Sequence, residues 1–191
     1  MISEIISKAE RTGKLDTDEI FQLMSMTSAE DREELYSAAR RVRDREFGKK
    51  IFTYGFVYFS TYCKNNCTFC YYRATNKIKD RYRKSTEEIV ELSASLKDAG
   101  INLSDLTMGE DPVMYENGCS KLLEIISAVH DEVGINIMAS PGALPQEMFA
   151  KVRDAGADWY ACYQETYNRE LFESLRLNQS FDDRRNQKIW A

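Results

Sequence analysis

An α/β fold built on a parallel sheet is predicted by three features of this 191-residue chain. From about residue 51 onward, strand-like and helix-period segments alternate; the helical segments stop at Gly100, Gly134 and Gly156; and the first strand-like run, Ile51 to Phe59, is aromatic and β-branched apart from Gly55, as a strand covered on both faces would be. With 43% hydrophobic and 12% aromatic residues, the composition supports one domain with a real core plus a small extension and excludes a disordered chain.

Residues 1–50 read as a helical N-terminal extension. Ile5, Ile6 and Ala9, and later Leu35, Tyr36, Ala39 and Val42, recur at spacings of three and four, with breaks near Gly13 and Ser25, so three helices are expected. Ser28 followed by Asp31 can open the third by capping its free N–H groups. In residues 51–191 the strand Ile51–Phe59 is followed by a helix from Ser85 to Lys97, opened by the capping box Ser85/Glu88, and by a strand from Leu103 to Met108. A helix from Ser120 to Glu132 leads to a strand from Ile135 to Ala139. Another helix, from Pro145 to Asp154, leads to a strand from Asp158 to Tyr163, and a last helical stretch begins near Arg169. Four strands are countable, against the eight of a closed barrel that takes about 250 residues. In closed and open parallel sheets alike, chemistry belongs at the C-terminal ends of the strands.

Several function classes are excluded early. A formal charge of −5 leaves no broad positive surface for a nucleic acid. No run approaches the roughly 18 apolar residues of a membrane span, and Met1-Ile2-Ser3-Glu4 does not open a signal peptide, so a cytoplasmic chain with no membrane partner is expected. The dinucleotide and P-loop glycine fingerprints are absent. Five cysteines, three of them within eight residues, do not resemble a disulfide framework.

The three clustered cysteines carry the chemistry. Cys63, Cys67 and Cys70 form a C-x₃-C-x₂-C spacing in the loop after the first strand, and thiolates this close suit zinc or an iron-sulfur cluster. A structural zinc takes four ligands, whereas His130, Cys119 and Cys162 lie far along the chain. His130 reads as a surface residue, and Cys119 and Cys162 as small apolar fillers. Three protein ligands leave a coordination position open at the mouth of the sheet.

This spacing, with the aromatic Phe69 before the last cysteine and a βα array behind it, resembles the radical S-adenosylmethionine (SAM) superfamily. The resemblance implies a (β/α) TIM-type barrel of which residues 51–191 are the N-terminal half, about four βα units. It also implies a 4Fe-4S cluster on Cys63, Cys67 and Cys70 whose fourth iron is chelated by the amino and carboxylate groups of SAM, and electron transfer that yields a 5′-deoxyadenosyl radical. Met108-Gly109-Glu110 stands where the superfamily has a glycine-rich turn ending in Glu, with Met108 in place of the first glycine. Gly109 and Glu110 would meet the methionine ammonium. Glu165, with Arg184 nineteen positions on, looks like the branch of biotin synthase and the iron-iron hydrogenase maturases, where the acid meets SAM and the arginine clamps its carboxylate; Arg176 and Arg185 are rivals for that clamp. Ser140, in Ser140-Pro141-Gly142, can meet SAM or simply turn the chain. Phe69 can contact adenine, shield the cluster or pack.

Within that branch, Tyr58–Asn65, Asp105–Pro112, Tyr163–Tyr167 and Gln179–Asp182 are similar to the 3-methylornithine synthase family. This implies L-lysine as substrate, a carbon-skeleton isomerisation, and anchors for both ends of the amino acid. Asp111 is the candidate ammonium partner here, or else a loop cap. Most anchors are expected in a missing C-terminal half or an oligomer partner, since the array stops after four units. A reductant such as flavodoxin or ferredoxin is implied too, and the basic run Arg73, Lys77, Lys79, Arg81, Arg83 and Lys84 is either its docking surface or a solvated loop. The alternative is another biotin-synthase-like radical SAM enzyme, or an iron-sulfur maturase or scaffold.

Overall fold

The computed structural model describes residues 2–77 and 80–191, so Lys79 of the basic run lies outside the described residues. The chain divides into two compact units, residues 1–51 and 52–191.

The first unit holds α1 (Ile2–Thr12), α2 (Thr17–Met24) and α3 (Ala29–Phe47). Side chains fix where they start: Asp16 and Glu19 form a capping box at α2, and Ser28 accepts the Asp31 N–H at α3. α1 lies along α3, where Arg41 donates two hydrogen bonds of 2.7 Å to Glu10.

In the second unit the order is β1 (Tyr54–Ser60), β2 (Asn66–Cys67), α4 (Thr86–Asp98), β3 (Leu103–Met108), α5 (Pro112–Val133), β4 (Asn136–Ser140), α6 (Met148–Asp154), β5 (Trp159–Tyr160), α7 (Arg169–Leu175), β6 (Arg176–Leu177) and α8 (Phe181–Trp190). β1, β3, β4 and β5 pair in that order, all parallel. The α/β parallel architecture predicted from the sequence is the one observed. Alternation along the strands decides the two faces. Val57, Phe59, Leu106, Met108, Ile137 and Ala139 pack under Ile89, Leu122, Ile125, Ile126, Val129 and Val152 of the helices. Each of these side chains except that of Ala139 contributes about 1.5–3 kcal/mol on burial. The other face carries Phe56, Tyr58, Asp105, Thr107, Met138 and Ser140, and it is the inner face of the incipient barrel.

Several expectations change. β1 begins at Tyr54, and it is covered on one face only: Ile51 and Phe52 precede it exposed, and the side chains of Tyr54 and Phe56 are more than half exposed. β1 is an edge strand here, and its inner face has no second layer above it. α5 opens with one extra turn at Pro112, capped by Asp111; non-helical residues 116–119 interrupt it, with positive φ at Asn117, Gly118 and Cys119, and the main helix then runs from Ser120 as the sequence predicts. α6 starts at Met148 rather than Pro145, and β5 shrinks to Trp159–Tyr160. The last helical stretch is two helices, α7 and α8, separated by β6, which pairs antiparallel with β2.

Candidate functional site

The C-terminal ends of the four parallel strands meet around a cavity of about 260 Å³. Every cysteine of the cluster and every residue expected to hold SAM lines it: Cys63, Cys67, Phe69, Cys70, Gly109, Glu110, Ser140, Glu165 and Arg184. All three clustered cysteines are free thiols.

Four devices shape the cysteine loop. A register shift between Tyr58 and Ser60 ends β1 in a bulge, turning the chain out of the sheet. The Arg81 guanidinium donates to the carbonyls of Thr61, Tyr72, Arg73 and Asn76, at 2.5–3.2 Å, and so gathers both ends of the loop. Pairing of β2 with β6 sets Cys67 opposite Arg176. Gly109 supplies the fourth: a Cβ there would stand 2.2 Å from the Tyr62 carbonyl oxygen and 2.9 Å from the Cys63 Cβ, so only glycine lets the strand tip and the loop touch. Gly109 thus admits the cysteine loop. Burial pushes the Cys63 thiol up against the opposing effect of the Asn65 and Glu110 N–H groups.

Two carboxylate-arginine pairs stand at the cavity. Glu110 is buried and pairs with Arg184, not with a ligand alone; Arg184 also donates to the Cys162 sulfur and the Tyr163 carbonyl, each at 3.2 Å. The Ala143 N–H donates to Glu110 at 3.3 Å, and Lys64 Nζ lies 3.5 Å away. Gly142, at φ +89°, leaves the space this carboxylate fills, since a Cβ would meet Glu110 Cγ at 2.2 Å. Glu165 pairs at 2.7 Å with Arg176, the rival to Arg184 for the SAM carboxylate. Glu165 has φ +67°, an uncommon conformation for a non-glycine residue, and such strain concentrates at functional sites. α8 presents Arg184 because Gln187, one turn on, exchanges two hydrogen bonds with the Leu144 backbone at 2.8 and 3.0 Å.

Asp111 does not face the cavity. Its carboxylate accepts from Ser60 at 2.6 Å, from Arg83 at 2.7 and 2.9 Å and from the Val113 N–H at 3.2 Å, so it serves as helix cap and partner of Arg83 and leaves no room for a substrate ammonium. Two members of the basic run thus make structural bonds, Arg81 to the loop carbonyls and Arg83 to Asp111, with Arg83 still exposed. Cys162, expected as a filler, lines the cavity. Sequence reasoning missed Asp105: it is fully buried on the inner face, Oδ1 accepts from Ser140 at 2.6 Å, and Oδ2 has no partner. Burial pushes its carboxyl up, and the Ser140 bond opposes this. Its place beneath Thr107 and Ser140, at period two in β3, was the available signal.

The model of the radical SAM superfamily matches residues 57–187. The chain belongs to the radical SAM superfamily. Among superfamily members it is 48% identical to 3-methylornithine synthase of Methanosarcina barkeri over 178 residues, 93% of this chain and 50% of that protein. It is 31% identical to the [FeFe] hydrogenase maturase subunit HydE of Thermotoga maritima, over 96% of this chain and 51% of that protein. A crystal structure of methylornithine synthase (PylB) superposes with a TM-score of 0.83 at 46% identity, covering 98% of this chain and 55% of that one. The chain therefore spans about half the length of the curated relatives it matches, and this radical SAM unit is the part of the fold they share with it.

Among the described residues no three His, Cys, Asp or Glu side chains gather as a single metal ion requires. A radical SAM cluster takes each thiolate on a different iron, so more widely spread thiols suit it. One buried donor, Arg176 Nε, has no partner beside them. Three free thiols and an orphaned cationic donor fit an anionic iron-sulfur cluster.

Proposed function

We propose that this chain carries the cluster- and cofactor-binding part of a radical SAM mutase that isomerises L-lysine to (3R)-3-methyl-D-ornithine in pyrrolysine biosynthesis. The observation that carries the reading is the convergence of Cys63, Cys67 and Cys70 with Glu110, Glu165 and Arg184 on one cavity at the strand tips; the 48% identity to 3-methylornithine synthase supports the choice of reaction. Cys63, Cys67 and Cys70 would hold the 4Fe-4S cluster. Glu110 and Glu165 offer acceptors for the ammonium and ribose of SAM, Arg184 a donor for its carboxylate, Phe69 an apolar face, and Gly109 the close approach of strand tip to cysteine loop. When bound, the pair supplies a 5′-deoxyadenosyl radical able to take an unactivated hydrogen.

For the substrate, Asp105 is the anchor. Its buried Oδ2 has no partner, and its neighbours on the same face, Thr107 and Ser140, line the cavity, so a buried carboxylate stands behind that wall to accept a charged hydrogen bond from an ammonium. Ser140 holds the other oxygen and so aims the carboxylate. Flavodoxin or ferredoxin serves as the reductant. A second reading, an iron-sulfur maturase, rests on the 31% identity to HydE.

Anaerobic reconstitution tests the site: about four irons per chain and an EPR signal with dithionite are expected, both lost in Cys67→Ala. Deoxyadenosine assayed with and without lysine separates mutase from maturase. Stoichiometric zinc, or iron unchanged in Cys67→Ala, would sink the proposal.

A further inference from the structure

Cys67 stands apart from the other clustered cysteines in what reaches its sulfur. Gln179 Nε2 lies 3.1 Å and Arg176 Nη1 3.5 Å from the Cys67 Sγ, both brought there by the pairing of β6 with β2. Cys63, by contrast, accepts from the backbone N–H of Asn65 at 3.5 Å.

The two donors are themselves fixed. Arg176 Nη2 donates to the Tyr163 carbonyl at 2.8 Å and to Glu165 at 2.7 Å, and its guanidinium lies 5.5 Å from the Phe69 ring centroid. Arg176 Nη1 also donates to Gln179 Oε1 at 3.4 Å, which settles the amide's orientation: the oxygen faces the arginine, so the NH₂ group must face the sulfur. Arg176 is about 6% exposed, so its charge acts through little water.

We propose that Arg176 and Gln179 are positioning residues that raise the reduction potential of the iron-sulfur cluster by donating hydrogen bonds to the Cys67 thiolate. This rests on the cluster reading above. One-electron reduction adds a negative charge to the cluster and its sulfur ligands, and a cation and an N–H dipole aimed at one of those sulfurs favour the reduced form. No bond is made or broken, and the electron comes from the external reductant.

The test is an EPR-monitored potentiometric titration of the anaerobically reconstituted protein. Gln179→Met keeps the side chain's length and removes the donor; at a fixed applied potential the reduced-to-oxidised ratio should fall about tenfold, ~59 mV for a one-electron couple. Gln179→Glu turns an acceptor toward the thiolate and should lower the potential further. Arg176→Met should lower it as well, with Arg176→Lys recovering part of the loss. If the Arg176 variants fail to bind iron, the Gln179 pair decides. A four-iron wild type whose potential is unmoved in both Gln179 variants overturns this inference alone. A wild type that binds no iron overturns it together with the cluster reading.

Discussion

Asp105 and Asp111 lie six residues apart and show how neighbourhood decides the use of a carboxylate. Asp105 has one oxygen held by Ser140 and one without a partner, so it is the acid that gains from a ligand. Asp105→Asn should weaken lysine binding by about 1.5–3 kcal/mol, the worth of a charged hydrogen bond, or roughly ten- to a hundredfold. Iron content and SAM binding should stay as in wild type; isothermal titration with lysine reads the first, and normal lysine affinity would remove Asp105 from the site. Asp111 is saturated instead. Burial works to raise its carboxyl, but the bonds from Arg83 and Ser60 outweigh this and hold it below the usual range. A carboxyl depressed in the folded state stabilises the fold above its unfolded value, and the contribution disappears as pH falls through the folded one. Asp111→Asn should therefore lower stability at neutral pH and flatten the acid limb of the stability curve; an unchanged acid limb in denaturant titrations across that range would contradict this.

At the scale of elements, the strand tips and the cysteine loop form one piece, and Gly109 is the contact between them. Gly109→Ala places a methyl against the Tyr62 carbonyl; the loop has to move, at a cost of about 1–3 kcal/mol for overpacking. The melting temperature should fall, and iron bound per chain should fall with it, both measured on the reconstituted protein. A variant with full iron and normal melting would show that the loop yields freely. Local signals in the sequence located most elements. The Ser85/Glu88 box and Ser28 cap helices as read, and β3 spans Leu103–Met108 as read. What was hidden depends on distant partners. β6 is two residues long and exists because Asn66 and Cys67 meet Leu177 and Arg176, more than a hundred positions on; neither strand has a pattern of its own. The pairing of Glu110 with Arg184 and of Glu165 with Arg176 was illegible for the same reason, since spacing along the chain says which residues reach the mouth but not which face each other. Asp111 reads as a ligand group beside Gly109 and Glu110; only the fold shows Arg83 arriving to occupy it.

For the whole molecule, the sheet has β1 and β5 at its edges, and its inner face is open beside them. Tyr54, Phe56 and Trp159 are each more than half exposed there, together with Ile51 and Phe52 before β1. Unpaired edges flanked by exposed aromatic side chains invite another strand. The 191-residue chain alone should therefore bind a hydrophobic dye and self-associate with rising concentration, read by fluorescence and by sedimentation. A polypeptide of the relatives' length, about twice that of this chain, offers the strands and helices that would cover the inner face, so dye binding and association should both drop. The same comparison bears on chemistry. The residues proposed for the cluster and SAM lie in the present chain, whereas a cavity walled on one side cannot retain a reacting substrate away from water. Reconstituted on its own, the chain should give slow deoxyadenosine formation and no methylornithine from lysine, and the longer polypeptide should give both. A dye-silent monomer of these 191 residues that isomerises lysine unaided would show that the open inner face is not part of the substrate chamber, and Asp105 would then have to act from a site closed by this chain alone.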